Sequence, residues 1–75
     1  MLLVKVNRRK VYVDFEEDTA PNKGGYFCKV YGDSEKFDYI DCFTIRKENV
    51  RGSEPLKRAM LYANEYIQTH YTRRR

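Results

Sequence analysis

Several residue types that chemistry usually needs are scarce in this chain of 75 residues: it has one histidine, His70, and two cysteines, Cys28 and Cys42. Nucleophilic catalysis needs a base held beside its nucleophile. No serine, cysteine or carboxylate pattern accompanies His70, which reads as a partly buried residue near a helix end. The protein is therefore expected not to be an enzyme. No Cys-x-x-Cys pair or Cys/His ligand spacing suggests zinc. Two cysteines are too few for a secreted disulfide scaffold, so both are expected to be reduced, small apolar residues. Carboxylates cluster at Asp14, Glu16, Glu17 and Asp18, and again at Asp33, Glu35, Asp38 and Asp41. They lack the ordered spacing of a cation-binding loop and read as solvated surface, with no metal and no cofactor expected. Gly24-Gly25 lacks the lysine of a phosphate-binding loop and precedes a strand rather than a helix, so it reads as a turn.

Long apolar runs are also missing. Nothing approaches the roughly 18 apolar residues of a membrane span, and residues 1–10 hold no apolar core of signal-peptide length. A cytoplasmic protein with no membrane role is expected. A chain of this size supports one domain, which buries only about 60% of the surface its unfolded form exposes and leaves little room for a deep cleft.

What the chain does have is a modest excess of positive charge. Fifteen Lys and Arg stand against 11 Asp and Glu, a formal charge of +4, and the last three arginines account for three of those four. Residues 1–72 read as a nearly neutral domain and 73–75 as a basic, flexible tail. Such a balance favours polyanions only through where the charges lie.

Alternation supplies the strands. Leu2, Val4 and Val6 precede Asn7-Arg8-Arg9-Lys10, and Val11, Val13 and Phe15 follow it. Folding back between Arg8 and Arg9 sets Val6 opposite Val11, Val4 opposite Val13 and Leu2 opposite Phe15, all on one face. Leu3, Lys5, Tyr12 and Asp14 take the other face. Residues 16–25, with acids, a proline and paired glycines, read as a loop. Strand three is expected over 26–31 and strand four over 37–45. A helix begins after Gly52 with Ser53 as its cap and Pro55 in its first turn, and runs to about His70. Leu56, Ala59, Met60, Ala63, Ile67 and His70 recur at helical spacing as its buried stripe, leaving Leu61 and Tyr62 outside. The fold class is α+β: an antiparallel sheet of three to four strands, covered on one face by a single C-terminal helix.

The second hairpin has two faces that each hold enough apolar surface for a core. Pairing Cys28 with Cys42 matches every partner: Val30 with Ile40, Phe27 with Phe43, Lys29 with Asp41 and Tyr31 with Tyr39. Burying Lys29 and Asp41 under a helix would cost several kcal/mol per ion. The expectation is that Cys28, Val30, Ile40 and Cys42 face the helix and the aromatic set lies open.

That open face supplies the functional expectation. Lys5, Tyr12, Lys29, Tyr31 and Tyr39 share it, Arg8, Arg9 and Lys10 occupy a hairpin tip, and Arg46 and Lys47 flank the end of strand four. Rings stack on bases while nearby cations hold phosphates, so these ten residues form an expected contact surface for nucleic acid, DNA or RNA. A sheet followed by one helix, with Gly25-Tyr26-x-x-Lys29, resembles in architecture the arm-type DNA-binding domains of some mobile-element integrases. That likeness suggests an accessory protein of a phage or mobile element. The alternative is a small protein-binding module, an inhibitor or adaptor, with Phe27, Tyr31, Tyr39 and Phe43, or Leu61 and Tyr62, as its contact patch.

Overall fold

A computed structural model of the protein describes residues 1–72, and the expected tail, 73–75, lies outside the described residues. The architecture is the α+β arrangement read from the sequence. Strands β1 (Leu2–Val6), β2 (Arg9–Glu17), β3 (Tyr26–Tyr31) and β4 (Tyr39–Ile45) form one antiparallel sheet in the order β1-β2-β3-β4. Helix α1 (Pro55–Thr72) packs on one face, reached from β4 through a short 3-10 turn at Lys47–Asn49. No helix among the described residues is long and apolar enough to cross a membrane.

In the first hairpin Val4, Val6, Val11 and Val13 all point into the core, because successive strand residues face opposite sides. The register differs from the expected one by two residues: Val4 opposes Val11 and Leu2 opposes Val13. The turn explains it. Asn7 and Arg8 both adopt the left-handed conformation, with φ 50° and 65°, which is the two-residue type I′ turn whose twist suits the flanking strands. A slip of two residues keeps every side chain on its own face, so the valine face survives the error.

The second hairpin corrects the sequence reading more deeply. Cys28 opposes Phe43, Lys29 opposes Cys42 and Val30 opposes Asp41, after which the pairing jumps to Tyr31 opposite Tyr39. Ile40 is the extra residue, a β-bulge. From Asp41 onward the strand therefore presents the face opposite to the one expected. Phe43 and Ile45 are buried, whereas Ile40 and Cys42 are exposed. The bulge keeps Lys29 on the open face and sends only Asp41 towards the helix, so the two charges are never buried together. On β3 the expectation holds, with Cys28 and Val30 fully buried.

Ala59, Ala63 and Ile67 are the helix residues with no exposure at all. Two of the three are alanines, which lets the helix backbone approach the sheet closely. Leu56, Met60 and His70 are exposed instead of completing the expected stripe. Their place is taken by Tyr66 and Tyr71, which pack against the core. Tyr66 stacks on Phe43 with ring centroids 3.9 Å apart. Ser53 does not act as the expected side-chain cap; it offers its carbonyl to Arg58 Nε at 2.9 Å, while the Glu54 carbonyl accepts from the Arg58 amide.

One side chain ties the long loop to the sheet. Asn22 Nδ2 donates to Asp18 Oδ2 at 2.8 Å and to the Ile45 carbonyl at 3.3 Å, and its Oδ1 accepts from the Lys47 amide at 2.9 Å. The hydrogen bonds that Asp18 receives from Asn22 and the Thr19 amide hold its carboxyl below the ordinary value.

Candidate nucleic-acid interface

The face turned away from α1 is ordered in rows that run across the strands, because antiparallel register sets alternate residues side by side. One row crosses the whole sheet: Leu3 opposes Tyr12, Tyr12 opposes Tyr31, and Tyr31 opposes Tyr39. The bulge at Ile40 makes this possible, since without it Tyr39 would share the helix face with Asp41. The Tyr31 and Tyr39 rings lie 5.8 Å apart at 65°, meeting edge to face, so they do not cover each other as a stacked pair would. Hydrogen bonding to the Cys42 thiol raises the Tyr39 hydroxyl above its ordinary value.

Cations flank the row on both sides. Towards the β1–β2 turn, Lys5 stands directly opposite Lys10. Like charges placed so are destabilising, and among the described residues neither forms an ion pair. On the other side runs the row Asp14, Lys29, Cys42. Lys29 Nζ stands 5.8 Å from the Phe27 ring centroid. Asp14 would repel phosphate, but Lys36, from the loop of residues 32–38, reaches its Oδ2 at 2.8 Å. That hydrogen bond and the opposite charge raise the Lys36 ammonium above its ordinary value. The next row, Glu16, Phe27 and Thr44, ends the face with an acid that forms no ion pair among the described residues. Along the rows the charge therefore runs from Lys5 and Lys10 nearest the turn to Glu16 in the last row, while the loop of residues 32–38 adds Asp33, Glu35 and Asp38 at the turn end.

Six of the ten expected contact residues come together here: Lys5, Lys10, Tyr12, Lys29, Tyr31 and Tyr39. Arg8 sits in the turn itself, next to the Lys5–Lys10 pair. The other expectations need correcting. Lys10 belongs to β2 rather than to the tip. Arg9 also begins β2, but it opposes Val6 and so lies on the helix side, where its charge is felt by Tyr71. Arg46 and Lys47 follow the opposite end of β4, four rows and roughly 27 Å along the strands from Lys5 and Lys10 at about 3.4 Å per residue. Lys47 is engaged there: its amide binds Asn22, and its Nζ donates to the Pro21 carbonyl at 3.1 Å.

The sequence reading missed Leu3 as the end of the tyrosine row, Lys36 as the partner of Asp14, and Phe37, an 83% exposed ring in the loop beside Tyr39. Phe37 alone had a visible signal, an aromatic residue set among Asp33, Ser34, Glu35, Lys36 and Asp38. The loop that presents it is fixed: Asp33 Oδ1 accepts from the Phe37 and Asp38 amides at 3.0 and 2.9 Å, and the Gly32 amide donates to the Asp38 carbonyl at 2.8 Å. Among the described residues, no group of three or more His, Cys, Asp or Glu side chains is placed to hold a metal ion.

No protein-family model, no curated protein and no solved structure matches this chain. The expected resemblance to arm-type integrase domains, read from architecture and from Gly25-Tyr26-x-x-Lys29, finds no support in these comparisons.

Proposed function

We propose that this protein is a non-enzymatic nucleic-acid-binding module whose contact surface is the open sheet face. The observation that carries the reading is the row Leu3, Tyr12, Tyr31, Tyr39, with the opposed pair Lys5 and Lys10 beside it. A like-charge pair that weakens the free fold is relieved by a bound phosphate, and flanking rings supply stacking surface. Titration of labelled single- and double-stranded DNA and RNA at low salt tests it. Binding tighter than millimolar, weakened by Lys5→Ala with Lys10→Ala, is the expected result. Absence of binding tighter than that for all four forms sinks the reading.

A protein-binding module is the second reading, favoured by the helix rather than the sheet. Leu61 is 64% exposed and Leu56 46% exposed. Leu56 and Met60 border a groove of about 320 Å³, also lined by Leu2, Phe15 and Tyr26. The expected aromatic patch loses Phe43, which is buried.

A further inference from the structure

We infer that the open face takes single-stranded rather than duplex nucleic acid, crossing the sheet along the tyrosine row and ending on Phe37. The inference rests on the nucleic-acid reading above and narrows it to one class of ligand.

The geometry of the rings decides between the two forms. In a duplex the base faces are covered by their neighbours, and only edges are open in the grooves. A tyrosine row on a sheet face would then have nothing to stack on. Unpaired bases offer their faces to aromatic side chains, and this contact tolerates any sequence because every base has one. The row spans three inter-strand gaps, about 14 Å at roughly 4.8 Å each, with Tyr12, Tyr31 and Tyr39 as successive platforms. Phosphates have cations on either side of that path, Lys5 and Lys10 towards the turn and Lys29 behind, each about 6.8 Å away along its strand. Asp14 does not break the path, because Lys36 is bound to it at 2.8 Å.

Phe37 lies in the loop of residues 32–38 that joins β3 to β4 beside the Tyr31–Tyr39 end of the row. A ring 83% exposed contributes almost nothing to the core, yet its backbone is fixed by the Asp33 carboxylate. It is held in water two residues before Tyr39, next to the end of the row. Base stacking gives such a ring a role that packing does not.

The test compares a labelled oligothymidine, a mixed-sequence single strand and the same strand annealed to its complement, by fluorescence anisotropy at low salt with the full chain. The expected result is single-strand binding at least about tenfold tighter than duplex binding. Phe37→Ala should weaken single-strand binding by roughly 5- to 150-fold, the range for losing one stacked base, and leave duplex binding unchanged. Its exposure makes it a variant that folds, and Tyr39→Ala should weaken single-strand binding by a similar factor. Equal or tighter duplex binding overturns the inference while the nucleic-acid reading stands. Unchanged single-strand affinity in both variants overturns it as well. If neither form binds, the inference and the reading beneath it fail together.

Discussion

The hydroxyl of Tyr71 donates to Asp41 Oδ2 at 3.4 Å, tying the last turns of α1 to β4. Tyr66 reaches the same oxygen at 3.3 Å, and Asp41 Oδ1 accepts the Cys42 amide at 2.7 Å. Two phenols and an amide thus satisfy the one carboxylate that the bulge sends towards the helix, which is why burying part of it is tolerable.

This arrangement makes stability depend on alkaline pH. Burial, then the charge of Asp41 and its hydrogen bond, push the Tyr71 hydroxyl up to about 12, against about 10 in an unfolded chain. Tyr66 shifts in the same direction, with desolvation again the largest cause. Because the folded value lies above the unfolded one, the contribution is fully present below about pH 10 and is lost as pH rises to about 12. Urea denaturation across that window should show falling stability, less steep in Tyr71→Phe. Cys28 adds a slope of the same sign, since burial raises its thiol from 9.0 to about 12. The difference between wild type and variant isolates Tyr71. Identical slopes would show that Tyr71 is not held as described.

The two cysteines should behave differently. Cys42 is exposed beside Lys29, whereas Cys28 is fully buried in the core. With a thiol reagent near neutral pH, one equivalent per chain should react quickly and the second only after denaturant is added. Protection of both thiols would restore the unbulged register, and rapid reaction of both would remove Cys28 from the core.

The contrast between the hairpins shows what was legible in the sequence. Alternating valines gave the faces of β1 and β2 even though the pairing was read two residues out, because a slip of two preserves facing. In the second hairpin the shift was by one, through a single bulged residue, Ile40, and that reverses a face. A bulge leaves no mark on an apolar pattern when both sides of the strand are rich in apolar residues. The reading judged Lys29 and Asp41 as a pair to be buried or exposed together, and the bulge separates them. The partners that make Asp41 acceptable, Tyr66 and Tyr71, lie 25 and 30 residues away on the helix. No local rule connects them. For the candidate interface, face and residue type were legible for Lys5, Tyr12, Lys29, Tyr31 and Tyr39. The position of Arg9 was not, because it depends on whether the turn has two residues or four.

Gly25 should tolerate no side chain. A Cβ there would collide with the Ile45 carbonyl oxygen and come within 2.5 Å of the Asn22 amide nitrogen. The Ile45 atom is backbone in a paired strand, and Asn22 is already held by three partners, so neither has room to move. Gly25→Ala should destabilise the fold by about 1–3 kcal/mol, the usual cost of overpacking, read as a lower urea midpoint with an unchanged slope. A neutral effect would mean that the loop of residues 18–25 is not docked on the end of β4.

Arg8 offers a way to separate fold from function, because the two make opposite demands on it. The second residue of a type I′ turn is best filled by glycine, and an arginine at φ 65° sits in a conformation that costs an ordinary side chain about 1–2 kcal/mol. Strain retained at an exposed position points to a role outside the fold, and here the residue stands in the turn next to the Lys5–Lys10 pair. Arg8→Gly should therefore raise stability by about 1 kcal/mol, seen as a higher urea midpoint without a change in slope. The same variant should bind nucleic acid more weakly, with a salt dependence shallower by about 0.7 for a lost phosphate contact on a single strand. Since the variant is the more stable protein, weaker binding cannot be blamed on unfolding. A gain in stability with unchanged affinity would remove Arg8 from the proposed interface and leave the lysines as its proposed phosphate contacts.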